Sequence, residues 1–131
     1  MQKILIATVS FLAALIISGC FSAQEKLPSE DIEVYEKYAD LIKVVKDPKL
    51  SANTEQKYLA VKELVSKIDL HYTRETSTVD KLFYFRDATV DGLDTETPTF
   101  TFLYQFENKF IRIRFFTCRM FITRVEIKEN E

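Results

Sequence analysis

Glycine is almost missing from this chain: only Gly19 and Gly92 occur among 131 residues. Loops that cradle a phosphate need several glycines so that backbone can approach closely, which excludes nucleotide-loop chemistry. Histidine is rarer still, with His71 alone in a polar stretch. A metal centre wants three or four ligands, so no metal site is expected. No large excess of charge of either sign is present: 18 Lys and Arg face 20 Asp and Glu, a formal net charge of −2. Nucleic-acid-binding domains carry a marked basic excess, so nucleic acid is not an expected partner. No hydroxyl sits in a strained G-x-S-x-G turn. Asp91, Asp94 and Glu96 match no calcium-loop spacing and read as a solvated turn. No catalytic constellation emerges, and the expectation is a non-enzymatic protein without a cofactor. Repeats and low-complexity tracts are absent as well.

What is there begins at the N-terminus. Lys3 is the only charge before Glu25, and Ile4 to Ile17 is apolar apart from Thr8 and Ser10. A membrane-spanning helix needs about 20 apolar residues. This run is short for a span and has the form of a secretory signal. It ends on Ile17-Ser18-Gly19-Cys20, which resembles the lipobox of bacterial lipoprotein precursors: an aliphatic residue, two small residues, then cysteine. The resemblance implies cleavage before Cys20 and lipid attachment to its thiol. Two or more acyl chains anchor a protein stably where one holds it only marginally. The chain then divides into a signal peptide (1–19), the lipidated Cys20 with a tether (20–28), and one domain (29–131). The residue after the cysteine is Phe21 rather than Asp. This favours the periplasmic side of an outer membrane, if the cell has one.

With Cys20 consumed by lipid, Cys118 has no partner for an internal disulfide. A lone exposed thiol is a liability in an oxidising compartment, so Cys118 reads as a small buried hydrophobe. Loss of Lys3 with the signal takes the formal charge from −2 to −3. The tether, fully extended, reaches about 25–30 Å, which keeps the domain near the bilayer.

Two amphipathic helices are expected next. Ser29 is a good N-cap, Ile32, Tyr35, Tyr38, Ile42 and Val45 recur at helical spacing, and Asp47-Pro48 stops the run. A second helix starts near Ser51 or Asn53. It buries Tyr58, Val61, Leu64, Val65 and Ile68 and leaves Lys57, Lys62, Glu63 and Lys67 off the stripe. Residues 71–78 read as a polar loop, and then the period changes to two. Strands are expected at Lys81–Val90, at Thr99–Glu107, and from Phe110 onward. An Asn108-Lys109 turn would set Phe106 against Ile111, Tyr104 against Ile113 and Phe102 against Phe115. The apolar tail positions Ile111, Ile113, Phe115, Phe121, Val125 and Ile127 are all odd, which suits one long bent strand and equally two strands joined at Thr117-Cys118-Arg119; those three residues lack turn chemistry, which favours the single strand.

The expected fold is α+β: two N-terminal helices on one face of a three- to four-stranded antiparallel sheet, in ααβββ order. That order resembles the small outer-membrane lipoproteins of the barrel-assembly machinery, and it is similar to cystatin-like and NTF2-like domains. The candidate binding face is the far side of the sheet: Leu103, Arg112, Arg114 and Phe116, joined by Phe83 and Phe85 if Tyr84 pairs with Tyr104. Aromatics and arginine are what binding surfaces concentrate. The function expected is a membrane-anchored envelope protein that binds a protein or peptide by this face or by strand addition. The alternatives are an inhibitor or immunity-type lipoprotein and a periplasmic carrier of a small ligand.

Overall fold

Aspartate and threonine, not the expected serine and asparagine, start the helices. Asp31 accepts a hydrogen bond from the Glu33 N–H and caps α1 (Ile32–Lys37). Thr54 caps α3 (Glu55–Lys67) by accepting from the Lys57 N–H at 3.4 Å. Ser29, the expected cap, is buried and shares a 2.7 Å hydroxyl–hydroxyl bond with Thr73. Tyr38 departs from helical dihedrals, which divides the expected first helix into α1 and α2 (Ala39–Val45). Val34 from α1 and Ile42 and Val45 from α2 all reach the core.

The computed structural model describes residues 26–130. The expected signal peptide, Cys20 and most of the tether lie outside the described residues. The remaining elements are β1 (Leu27–Pro28), β2 (Ile68–Asp69), α4 (Thr76–Leu82), β3 (Ala88–Asp91), β4 (Thr99–Phe106), β5 (Lys109–Cys118) and β6 (Phe121–Asn130). Short 3-10 turns cover Leu70–Tyr72 and Phe85–Asp87. The class is α+β. Among the described residues, four helices precede an antiparallel sheet of order β3-β4-β5-β6, and β1 pairs in parallel with β2.

The stretch from 71 to 90 departs most from expectation. It is not a loop followed by a long strand but the 3-10 turn, α4, a second turn and the four-residue β3. Thr78, Val79 and Leu82 form the buried stripe of α4, and two threonines and a serine had disguised it as polar. Leaving α4, Phe83 drops into the core, fully buried against the rings of Phe102, Phe115 and Tyr104 at 5.0, 6.0 and 6.5 Å. Phe85 packs edge-on to Phe100 at 5.2 Å and lies 6.0 Å from Phe102. Both phenylalanines therefore leave the candidate face. The expected Tyr84–Tyr104 pairing does not form, because β3 begins at Ala88, opposite Phe102.

The β4–β5 hairpin turns one residue earlier than expected, which shifts each cross-strand pairing by two. Glu107-Asn108 is the turn, and the pairs are Phe106–Lys109, Tyr104–Ile111 and Phe102–Ile113. A shift of two leaves every side chain on its expected face. The tail is two strands, not one. Arg119-Met120 turns the chain, with Arg119 at φ +59°. A bulge opposite Phe116 and Thr117 adds one residue to β6, which reverses the alternation beyond it. Ile122 is consequently buried and Phe121, the expected core residue, is 59% exposed. Cys118 is exposed rather than buried, because alternation puts it on the side of β5 opposite the buried Ile111, Ile113, Phe115 and Thr117.

Candidate functional site

The helices cover one side of the sheet, the side carrying Phe102, Tyr104, Ile111, Ile113 and Phe115, all fully buried. Alternation along the strands sends their neighbours to the other side. Register brings Leu103 opposite Arg112, Thr101 opposite Arg114 and Thr99 opposite Phe116. Four of the six expected residues (Leu103, Arg112, Arg114 and Phe116) therefore share one surface. Phe83 and Phe85 do not join them.

β6 supplies what the sequence reading missed. Arg112, Arg114 and Phe116 pair with Lys128, Glu126 and Arg124 respectively. The Arg124 guanidinium stacks 4.1 Å above the Phe116 ring and lies 3.5 Å from the Glu126 carboxylate. Arg114 Nε donates to Thr101 Oγ1 at 3.3 Å. The face thus presents Arg112, Arg114, Arg124 and Lys128 against Glu126, with Asp91 at the far edge on β3. It is locally basic on a chain whose formal charge is −2. Even numbering of Arg112, Arg114 and Arg124 was a visible signal, but reading it required knowing that β6 returns beside β5.

Two further sites lie elsewhere in the domain. A surface groove of about 550 Å³ has Ile32, Tyr35, Ala39 and Ile42 as its apolar floor and Lys43, Lys46 and Lys81 at its rim. The second is interior. Lys57, expected on the solvent side of its helix, is fully buried. Its Nζ donates to Asp87 Oδ2 at 2.6 Å and to the Asp47 and Leu50 carbonyls at 3.0 Å each. All three ammonium protons are used, so the group serves as a strut between the α2–α3 connection and the turn before β3. Nearby, the Tyr104 hydroxyl is buried without a partner. Burial first, and then the Asp87 charge, push its pKa well above the usual phenol range.

Both interior groups are closed off from solvent. Among the described residues no three His, Cys, Asp or Glu side chains gather as metal ligands. His71 is exposed, its backbone N–H donating to Asp69 Oδ1 at 3.0 Å. Asp91, Asp94 and Glu96 are exposed, with Glu96 lying 3.8 Å from Arg119 Nε. No helix among the described residues is long and apolar enough to cross a membrane. Comparison with protein-family models, curated proteins and solved structures finds no match to this chain.

Proposed function

We propose that this chain is an envelope lipoprotein, lipidated at Cys20, whose folded domain is a non-enzymatic module that binds an acidic protein or peptide. The observation that carries the binding half is the uncovered sheet face. Arg112, Arg114 and Arg124 line up across adjacent strands beside Phe116 and Leu103, and the helices pack on the opposite side. Aligned guanidinium groups on a rigid sheet favour carboxylate partners, since each offers a planar fork of donors. An antiparallel sheet can leave one face in water, but such a face has no need of three arginines on adjacent strands, one of them stacked on an aromatic ring. The anchoring half rests on the signal-like run and the lipobox resemblance at Ile17–Cys20. In a cell with two membranes, Phe21 rather than Asp after the cysteine favours an outer-membrane location on the periplasmic side.

A photo-crosslinking residue placed at Leu103 in growing cells tests the binding half. A discrete adduct is expected with one acidic envelope protein, and Arg112→Glu with Arg114→Glu should abolish it while leaving the fold intact. An adduct unchanged by the double reversal overturns the assignment. The anchoring half is tested separately by Cys20→Ser, which should leave the chain unprocessed and without acyl mass.

A second reading, carriage of a small ligand, draws on the groove between α1, α2 and α4. Its about 550 Å³ lies within the range of ligand sites, and its lysine rim suits an anionic headgroup. It is a surface groove, not a cavity between helices and sheet. Phe83, Phe102, Tyr104 and Phe115 fill that space.

A further inference from the structure

The two ends of the sheet differ in chemistry. At one end are the Glu107-Asn108 turn, Lys109 and the last residues of β6, Lys128 to Asn130, all exposed and polar. At the other are the loop after β3 and the β5–β6 turn. Here Leu93 is 74% exposed, Met120 72% and Phe121 59%. The loop and the turn are held together: Arg119 N–H donates to the Glu96 carbonyl, and Thr117 Oγ1 donates to that of Pro98. Single exposed apolar side chains are ordinary. Three large ones on the loop and turn at one end of the sheet, against only polar residues on the Glu107-Asn108 turn and Lys128 to Asn130 at the other, make a patch.

The chain enters the domain at Leu27–Pro28, paired with Ile68–Asp69, and at Glu30 reaches the segment behind this patch. Glu30, four residues after Lys26, accepts through its carboxylate from the Arg74 and Glu75 N–H groups. The same short segment joins the β5–β6 turn: Arg74 O accepts from Ile122 N–H at 2.7 Å, Glu75 bridges to Phe121, and Thr76 N–H donates to Met120 O at 3.3 Å. Between Cys20 and Lys26 the chain spans at most about 20 Å. An anchor at Cys20 therefore holds this end of the sheet, and not the polar end, close to the lipid.

We infer that Leu93, Met120 and Phe121 form an apolar tip that rests in the interfacial layer of the bilayer. The inference rests on the proposed lipid anchor and adds an orientation to it. A tip buried about 5–10 Å into the headgroup boundary is how peripheral elements sit. Anionic lipid is not required. Arg119 already faces Glu96, and Asp94 in the same loop would be repelled by it. With this end on the membrane, the basic sheet face stands roughly perpendicular to the bilayer, open to a partner.

The test uses the full mature chain, carrying whatever modification its N-terminus receives, with Cys118→Ser so that one engineered cysteine carries an environment-sensitive fluorophore. The probe is placed at Met120→Cys, at Leu93→Cys, or at Asn108→Cys on the polar end. The protein is reconstituted in pure phosphatidylcholine vesicles that can carry nitroxide-labelled lipid. Expected is flotation with the vesicles, blue-shifted emission at 120 and 93, and several-fold stronger nitroxide quenching there than at 108, unchanged by salt. Flotation with probes at 120 and 93 as water-exposed as the probe at 108 overturns the tip and leaves the anchor standing. Failure to float, with no acyl mass on Cys20, overturns the anchor and the tip with it.

Discussion

Replacing Lys57 by methionine is the most revealing perturbation this structure offers. Methionine keeps an unbranched apolar stem out to the position of lysine's Cε, with sulfur in place of Cδ, and removes the ammonium. That ammonium is fully buried and has three acceptors: Asp87 Oδ2 at 2.6 Å and the carbonyls of Asp47 and Leu50. Its loss leaves a carboxylate without its ion partner and two carbonyls without donors. Removing one member of a buried pair costs about 3–5 kcal/mol. The lower part of that range applies, because the Asp87 side chain retains 11% exposure and some access to water. Even so, about 3 kcal/mol is a large share of a domain stability of about 5–15 kcal/mol. The chain has no tryptophan, so urea unfolding is best followed by circular dichroism. The Lys57→Met midpoint should fall clearly at unchanged slope, and adding Asp87→Asn should recover part of the loss by neutralising the stranded charge. A loss below about 1 kcal/mol, the typical net worth of one ordinary hydrogen bond, would refute the claim that this lysine braces the interior.

Four further outcomes follow from single observations. Tyr104→Phe removes a buried hydroxyl with no partner and should raise stability by about 1 kcal/mol in the same urea assay; a destabilised variant would show that the hydroxyl is satisfied. The folded pKa of Tyr104 lies above its ordinary value of 10.0, so the folded state holds that proton longer than the unfolded chain. Stability should therefore be level below pH 10 and decline above it, less steeply in Tyr104→Phe, as read by pH-dependent unfolding. Gly92→Ala should cost about 1–2 kcal/mol, because Gly92 sits at φ +71° and an added Cβ would lie 3.1 Å from Thr95 Oγ1; an unchanged midpoint would contradict this. Cys118, exposed at the end of β5, should react with a maleimide in native buffer as fast as in urea, and native-state protection would place it elsewhere.

The period-two stretch Phe100–Phe106 was legible because alternation depends only on nearest neighbours along one strand. Its faces survived a register error of two residues for the same reason. Helix α3 was legible through Tyr58, Val61, Leu64 and Val65, whose spacing follows from the turn of the helix alone. The split at Tyr38 and the caps at Asp31 and Thr54 were not, since several polar residues competed for each boundary. Of the candidate face, Leu103, Arg112, Arg114 and Phe116 were placed correctly together. Arg124 was missed because its position depends on where β5 ends.

What sequence determined by itself is local: an apolar run ending in a lipobox-like cysteine, one helical stripe, and the inside and outside of the β4–β5 hairpin. Each follows from residues within a few positions of one another. Tertiary structure decided the rest. Lys57 is internal because its acceptors come from Asp47, Leu50 and Asp87, brought together only by folding. Phe83 is core because the end of α4 aims it at Phe102. One extra residue in β6 exchanges Phe121 for Ile122. A residue's side is set by the backbone, but what meets it there is set by chain arriving from far away.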